Sequence, residues 1–246
     1  MLAAALLAAA IGMIVYGWWS GRSIAASVAR AVRGQSRDRR RATLGWAAGI
    51  TAMYGATTLA ALALLGRLDA LFDLPPELAA AARTLGIAPL SAIGIRDVGW
   101  AIAGGFLGGA ILVALTVWRR RRAIDLGYRS PAIAASRAEA GAALVLAAAA
   151  GFGEEVFFRL AVPLLVASVF GSGVAGCAVG WALFTIAHRY QGWRAMAAVG
   201  LVGLVLAWLY LATGSLWLVV LLHTIVDANA LVIRPWLERA FARRSA

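Results

Sequence analysis

The sequence predicts an all-α fold: a polytopic membrane protein whose seven to eight transmembrane helices surround a polar intramembrane cavity. Of its 246 residues, 63% are hydrophobic, and the mean hydropathy is +0.83, whereas about half of an ordinary soluble domain is apolar. Several apolar runs approach the roughly 20 residues with which a helix crosses a bilayer. Ionisable residues lie deep inside the apolar runs only in the second half of the chain, which marks that half as the candidate functional site.

The apolar runs give the order of the predicted helices. The run 2–19 has no basic residue before its apolar core, so we expect a first spanning helix and not a cleaved signal. The run 139–170 would form a helix of about 48 Å, which is long for one crossing. Pro163 and the glycines at 171 and 173 punctuate it, so it is either one helix or two elements. All the runs, in order, are 2–19, 43–66, 98–118, 139–170, 173–188, 195–212 and 215–233.

The distribution of arginine predicts the orientation of the helices. All 23 basic residues are arginine, with seven in 20–42 and a run of four at 119–122, whereas 67–97 holds three beside four acids. By the positive-inside rule, the two arginine-rich loops lie in the cytoplasm and 67–97 lies outside. Within it, 74–95 is expected to be a surface helix, with a re-entrant helix as the alternative. No basic domain stands outside the bundle, so nucleic acid is not an expected partner.

We expect a single integral membrane domain over residues 1–246, in the cell membrane and, within bacteria, in the inner membrane. Residues 1–130 hold no ionisable group deep inside an apolar run and are interpreted as scaffold helices. One charge at the bilayer centre costs about 3 kcal/mol on insertion scales, so such groups indicate a functional site. The helices of 139–233 carry all the candidates: Glu154, Glu155, Arg159, His188, His223 and Asp227.

The first polar motif, GEEVFFR, holds two adjacent glutamates. On a helix, Glu155 and Arg159 are four residues apart on one face, with the acid on the N-terminal side, the favourable order for an ion pair. Glu154 lies about 100° around the helix and has no helical partner. It is therefore free to act as a general base. The alternative is a structural ion pair that bridges two helices, and the second glutamate argues against it.

Two further motifs place histidines on helices. In FTIAH, Phe184 and His188 share a face near the end of their helix, and a hydrogen-bonded interfacial histidine is the simpler interpretation. In HTIVD, His223 and Asp227 are one turn apart, and the carboxylate could fix the tautomer of the imidazole. The alternative for that pair is a buried contact that fixes helix packing.

Taken together, EExxxR (Glu154 to Arg159), FxxxH ending at His188 and HxxxD (His223 to Asp227) resemble, in this order, the CPBP intramembrane protease family. That family includes the CAAX prenyl endopeptidases and the bacterial Abi-type proteins associated with bacteriocin immunity. The resemblance covers roughly residues 140–233, and residues 1–130 resemble the family only in being membrane helices. It implies a bundle of about eight helices around a polar cavity open to the membrane or the cytosol.

The resemblance also implies a role for each residue of the three motifs. Glu154 and His188 would activate a water that attacks the scissile carbonyl. His223 and the residue at 227 would stabilise the oxyanion. Glu155 and Arg159 would shape the site. The substrate would be a membrane-embedded or lipid-linked peptide.

Two points stay open within this resemblance. The family has been regarded both as metalloproteases and as metal-free, glutamate-dependent enzymes; if a divalent metal such as zinc binds, Glu154, His188 and His223 would hold it. The chain has no HExxH motif, so an ordinary helix-borne zinc hydrolase is not indicated.

The last motif often ends in Asn in this family, but here it ends in Asp227. A carboxylate cannot donate a hydrogen bond to an oxyanion unless it is protonated. Asp227 would then either orient His223 or form a structural pair with it.

A seven-crossing arrangement conflicts with a shared site. In it, Glu154 lies near the external end of its helix and His188 near the cytoplasmic end of the next, too far apart to share a water. We nevertheless expect the polar groups to converge, because isolated ionisable groups in lipid would cost more than an irregular helix.

The sequence therefore favours an intramembrane endopeptidase that uses a water activated by glutamate and histidine. The alternative is a non-proteolytic membrane scaffold or immunity protein of the same fold, in which the motif residues only hold helices together. A proton-coupled carrier is a third hypothesis, since intramembrane acids and histidines also form proton relays. Such a carrier would be supported by paired broken helices in two repeated halves, and the sequence has no such repeat.

Overall fold

The computed structural model describes residues 1–19, 36–118 and 128–242. These residues form helices and short connections and contain no strand, which confirms the all-α prediction. Residues 20–35, the arginine run at 119–122 and the last arginines at 243 and 244 lie outside the described residues. The predicted cytoplasmic position of the two arginine-rich loops therefore stays a prediction.

The first half of the chain forms four helices within the described residues. Helix α2 has two α-helical parts joined by a π-helical turn at Thr51–Ala56. A 3₁₀ turn at Leu68–Leu71 precedes α3, which coincides with part of the predicted surface helix 74–95. The helices are α1 (Leu2–Trp19), α2 (Ser36–Ile50 with Thr57–Leu64), α3 (Pro76–Thr84) and α4 (Ala92–Trp118).

The second half carries the polar motifs on longer helices. Helix α8 also contains a π-helical turn, at Asn229–Ile233. A 3₁₀ turn at Arg189–Gln191 joins α6 to α7. The helices are α5 (Arg137–Phe170), α6 (Gly173–Ala187), α7 (Trp193–Thr213) and α8 (Leu216–Ala228 with Arg234–Ala242).

The run 139–170 forms one continuous helix, α5, and not two elements. It begins at Ser136, whose hydroxyl accepts a hydrogen bond from the Glu139 amide at 3.3 Å, an N-cap that satisfies one free amide of the first turn. A π-helical turn at Val156–Ala161 follows Glu155 directly. Pro163 comes two residues later and has no amide hydrogen to give to the preceding turn. The extra residue of a π turn absorbs this irregularity without breaking the helix.

Several helices are suited to crossing a membrane. Within the described residues, 4 are long and apolar enough by length and composition, namely Asp38–Leu64, Arg137–Phe170, Trp193–Thr213 and Leu216–Ala240. Leu2–Tyr16 is a shorter apolar helix. The protein is therefore a multi-pass membrane protein, and the count of seven to eight crossings stays a prediction.

Helix α5 lies at the centre of the bundle and contacts α1, α2, α6 and α8. Its contact with α8 is close because Gly151 has no side chain: a Cβ atom there would lie 2.9 Å from the Val220 carbonyl oxygen. On another side, Ala143, Leu146 and Ala150 pack against α2 residues. The scaffold helix α2 thus helps to hold the central helix that carries the glutamates.

Backbone contacts join the helices at both ends of the bundle. At the end where α5 begins, the Ala134 amide donates to the Leu231 carbonyl at 3.0 Å, and Arg39 lies 3.2 Å from Glu139. At the opposite end, the Leu90 amide donates to the Ala212 carbonyl at 2.8 Å.

Candidate active site

Glu155, Arg159 and His223 form a buried charge network. Arg159 Nη1 lies 3.2 Å from Glu155 Oε1, and the two side chains are 2% and 0% exposed, so the predicted pair is confirmed. The same Glu155 oxygen lies 2.6 Å from His223 Nδ1. A carboxylate can only accept, so Nδ1 carries the hydrogen and donates it. Glu155 therefore joins a cation of its own helix to a histidine of α8.

Arg159 is also held by groups on two other helices. Its Nη2 donates to the Gly203 carbonyl of α7 at 3.3 Å, and its guanidinium carbon lies 3.9 Å from the centre of the Phe184 ring of α6. Gly203 leaves the space that this arrangement needs, because a Cβ there would lie 2.7 Å from Phe184 Cδ1 and 3.1 Å from Arg159 Nη2. A cation over an aromatic face is attracted by the ring quadrupole, which offsets part of the cost of burying the charge.

Glu154 faces both histidines, and one of its oxygens has no hydrogen-bond partner among the residues that the structure describes. The buried Oε2 atom lies 3.7 Å from His188 Nε2 and 4.0 Å from His223 Nε2. Both separations exceed a direct hydrogen bond. Glu154, which has no ion-pair partner on its own helix, is thus the acid that both histidines approach.

Helix α6 is short, and this resolves the conflict with a seven-crossing arrangement. Its 15 residues span about 22 Å at 1.5 Å per residue, less than the roughly 30 Å hydrocarbon core. His188 follows its last turn as the C-cap, and its Nε2 lies 3.7 Å from Glu154 Oε2. Since α5 continues past this depth without a break, Glu154 and His188 meet side by side.

His188 is oriented by its own helix. Its Nδ1 lies 2.8 Å from the Phe184 carbonyl oxygen, and since that oxygen can only accept, Nδ1 carries the hydrogen. In the neutral ring, Nε2 then presents a lone pair to Glu154. The Phe184 ring lies beside the imidazole, with the ring centres 4.7 Å apart. The i−4 carbonyl and the aromatic ring together fix the direction of Nε2.

Asp227 holds His223 less closely than the sequence suggested. Its Oδ2 lies 3.7 Å from His223 Nε2, beyond hydrogen-bond distance. The group that orients the imidazole is Glu155, on the other ring nitrogen at 2.6 Å. With 32% of its side chain exposed, Asp227 is the most open of the six candidates. The site therefore opens on the Asp227 side, toward the end of the bundle where α5 begins.

Two tyrosines near Glu154 were not among the candidates. Tyr54 lies on the π turn of α2, within electrostatic range of Glu154, and packs against the Phe158 ring with ring centres 5.1 Å apart. Tyr190, just after α6, lies in electrostatic range of both Glu154 and Asp227. The only signal in the sequence was that Tyr190 stands two residues after His188. No pattern connected Tyr54 with the second half of the chain.

Tyr190 lies outside the spanning helices and keeps its phenolic hydrogen at neutral pH. Desolvation by the surrounding groups raises the pKa of Tyr190 above its ordinary value, and the nearby Tyr128, Glu154 and Asp227 add to the rise. A neutral phenol is a hydrogen-bond donor as well as an acceptor. Tyr190 is therefore an uncharged donor in the electrostatic range of two carboxylic acids, Glu154 and Asp227.

The residues present do not fit a metal centre as they are arranged. Glu154, His188 and His223 offer the oxygen and nitrogen atoms that zinc prefers. However, no group of three or more His, Cys, Asp or Glu residues in the described part of the chain is spaced to hold an ion. Glu155, moreover, is already engaged by Arg159 and His223. We therefore derive no step through a metal.

Comparison with known proteins gives one match. The family model described as type II CAAX prenyl endopeptidase Rce1-like matches residues 136–229. This segment runs from the cap of α5 past Asp227 and contains all six candidate residues. No curated protein and no solved structure matches the chain significantly. The match supports a membrane protease of the CAAX type that acts on a membrane-associated substrate. The matched segment, residues 136–229, is similar to the Rce1-like type II CAAX prenyl endopeptidases, which supports the resemblance to the CPBP/CAAX protease family.

Proposed function

We propose that the protein is an intramembrane endopeptidase that hydrolyses a peptide bond of a membrane-associated or lipid-linked substrate. The observation that carries this proposal is the buried Glu154 oxygen without a partner, 3.7 Å from His188 Nε2. When His188 is neutral with its hydrogen on Nδ1, its Nε2 atom is an acceptor, as is the Glu154 oxygen. A group that donates two hydrogens therefore fits between these two atoms. Water fits this need, because two acceptors at this separation can each lie about 2.8 Å from one oxygen.

A water held in this way is ready for attack. Its two hydrogens point to Glu154 and His188, so a lone pair is left for the substrate carbonyl. Glu154 takes one proton as the water oxygen bonds to the carbonyl carbon, and the carbonyl π electrons move to the oxygen, which becomes an oxyanion. The intermediate then collapses: the C–N bond breaks and the proton on Glu154 passes to the leaving nitrogen. The products are a carboxylic acid and an amine, as general acid–base hydrolysis requires.

The other residues of the site act on this pair in two ways. His223 Nε2 faces Glu154 at 4.0 Å because Glu155 holds the other ring nitrogen. When it carries a proton, Nε2 can donate to developing negative charge. Arg159 balances the charge of Glu155 deep in the bundle. These interactions hold the geometry while the chemistry takes place at Glu154.

Lipid-linked substrates suit the position of the site. Glu154 lies about midway along the 34 residues of α5, within the spanning part of the bundle. The exposed side of Asp227 gives an approach from the arginine-rich end, predicted to be cytoplasmic by the positive-inside rule. A substrate anchored in the adjacent leaflet could present its peptide bond there. The proposed location, the bacterial inner membrane, follows the sequence prediction.

Cleavage in proteoliposomes tests the proposal. Internally quenched peptides, with and without a prenylated cysteine, are incubated with the wild-type protein and with Glu154→Gln. We expect cleavage by the wild type and a fall of about 100-fold or more in the variant, the upper part of the usual contribution of a general base. Glu238→Gln is the matched control, since Glu238 pairs with Arg234 at the surface of α8, at 2.9 Å, and this variant should keep full activity.

Two outcomes would count against this proposal. Equal cleavage by the wild type and Glu154→Gln would remove Glu154 from the chemistry, and the absence of any Glu154-dependent cleavage would favour a scaffold without catalysis. Addition of EDTA extends the test: the donor spacing leads us to expect an unchanged rate. Loss of activity on chelation with recovery on zinc addition would show that the site rearranges around a metal.

A further inference from the structure

The proposed hydrolysis lacks a neutral hydrogen-bond donor at position 227, where the family resemblance leads us to expect one. The last motif ends in Asp227, where a carboxylate that has lost its proton can only accept hydrogen bonds. A carboxylate beside the oxyanion would oppose the charge that builds up in the transition state. Stabilising that oxygen requires preorganised donors, and removal of one typically costs a factor of 10²–10³ in rate. With Asp227 as a carboxylate, protonated His223 is the one donor that the three motifs offer, so a second donor would have to come from a residue near them.

Tyr190 is a phenol that lies beside His188, on the segment that follows it. It belongs to the 3₁₀ turn Arg189–Gln191, which follows His188 directly. Its ring is nearly parallel to the His188 imidazole, at an interplanar angle of 27° and with the ring centres 6.1 Å apart. The turn is closed by the Gln191 amide, which donates to the His188 carbonyl at 3.0 Å. The phenol is thus tied to the same short segment that positions one of the two groups holding the water.

Two aromatic side chains from other parts of the fold restrain the ring of Tyr190. Tyr128, from the connection between α4 and α5, packs edge-on with ring centres 5.7 Å apart. Trp46 of α2 packs edge-on from another side at 6.4 Å. Edge-to-face contacts of this kind stabilise a defined ring orientation. The ring is thus packed on these sides, while 42% of the residue stays exposed.

The hydroxyl of Tyr190 has a hydrogen to give. Its oxygen accepts a hydrogen bond from Gln191 Nε2 at 3.1 Å, and its own hydrogen has no acceptor among the described residues. The charges of Glu154 and Asp227 both act on the Tyr190 hydroxyl, whereas only that of Glu154 acts on Tyr54. Tyr190 is also the phenol that packs beside His188, which lies 3.7 Å from Glu154.

We propose that Tyr190 donates its phenolic hydrogen to the oxyanion of the tetrahedral intermediate, in place of the donor that Asp227 cannot be. This inference rests on the proposed function. The tyrosine keeps its proton throughout, and its hydrogen bond shortens as charge moves onto the substrate oxygen. His223 Nε2 is the second donor to that oxygen when it carries a proton. Asp227 then faces His223 and stabilises its charged form.

Replacing Tyr190 by phenylalanine removes only the hydroxyl. In the proteoliposome assay with the quenched prenyl peptide, we expect Tyr190→Phe to lower kcat about 100-fold, the size typical of one oxyanion donor, with KM within about twofold. A phosphinic peptide analogue, whose charged oxygen resembles the oxyanion, should bind more weakly by a similar factor. Tyr128→Phe is the matched control, because it removes a phenol from the same aromatic cluster that does not border Glu154 or Asp227.

A second variant separates donation from packing. In the Tyr190→Phe background, Asp227→Asn supplies an amide donor. We expect this second substitution to raise kcat about tenfold, which restores part of the loss caused by removing the phenol. A merely structural role for the phenol predicts no such recovery and a change in KM and thermal stability instead.

The result that would overturn the inference differs from the one that would overturn the function. If Glu154→Gln is inactive but Tyr190→Phe keeps kcat within twofold, the protein is the proposed protease and Tyr190 is not its oxyanion donor. The same conclusion holds if Tyr54→Phe, and not Tyr190→Phe, loses kcat. If Glu154→Gln is as active as the wild type, the function itself is wrong.

Discussion

Replacing Glu155 by glutamine removes the charge at the centre of the buried network and keeps the shape of the side chain. Glu155 and Arg159 are 0% and 2% exposed and 3.2 Å apart. In the variant, Arg159 loses its paired carboxylate charge, and the Gly203 carbonyl at 3.3 Å and the Phe184 ring at 3.9 Å remain beside it. Breaking a buried ion pair from one side costs about 3–5 kcal/mol, because the other charge stays buried and uncompensated.

Glu77→Gln provides a matched comparison. Glu77 also pairs with an arginine, Arg67 at 2.9 Å, but the two side chains are about a third exposed, at 32% and 28%. Solvent screening limits such a pair to about 1 kcal/mol or less. In a chain of this size, each kcal/mol moves Tm by about 2–4 °C. In detergent, Tm should therefore fall by about 6 °C or more for Glu155→Gln and by about 4 °C or less for Glu77→Gln.

Thermal unfolding followed by circular dichroism measures both variants under one condition. The reasoning would be refuted if Glu155→Gln unfolds within about 2 °C of the wild type, or no lower than Glu77→Gln. That result would mean that the carbonyl of α7 and the aromatic ring of α6 are sufficient to hold Arg159. The ion pair would then serve to orient His223 and not to stabilise the fold.

Two further predictions concern packing and pH. Gly203→Ala places a Cβ 2.7 Å from Phe184 Cδ1 and 3.1 Å from Arg159 Nη2. We expect this overpacking to lower the free energy of unfolding by about 1–3 kcal/mol, as measured by thermal unfolding. Gly12→Ala is the control, because a Cβ at Gly12 meets nothing within 4 Å. The hydrogen bond from Arg67 holds the pKa of Glu77 below its ordinary value of 4.5. The pair therefore stabilises the fold fully above pH 4.5, and this stabilisation disappears as the pH falls through the lower pKa of the folded state. Between pH 6 and pH 3, Tm should fall less in Glu77→Gln than in the wild type, and an equal fall in both proteins would contradict this assignment.

The π-helical turns of α2, α5 and α8 connect the fold with the proposed chemistry. They lie at Thr51–Ala56, Val156–Ala161 and Asn229–Ile233, and each is next to or contains a residue of the site. A π turn adds one residue to a helix and rotates the residues that follow it, which is why such turns are frequent at functional sites. The turn in α5 begins directly after Glu155 and contains Arg159.

Local spacing made part of the site predictable. Four residues along a helix bring two side chains to the same face, so Glu155 and Arg159 were predicted to pair and Glu154 to stay free. The same rule put His223 beside Asp227, but there it predicted the weaker contact. Glu155 holds His223 from 68 residues away along the chain, and periodicity within one helix carries no information about such a partner.

Composition and local pattern by themselves determined that this is an all-α membrane protein, where its long apolar helices run and which six polar residues were unlike their surroundings. These properties follow from hydrophobicity and from a 3.6-residue repeat, which are local. The tertiary structure decided that α5 is continuous, that α6 is short enough to bring His188 to Glu154, and that Tyr54 and Tyr190 border the site. Those outcomes depend on how helices from distant parts of the chain pack, and packing is settled by the complementary shapes of many side chains together.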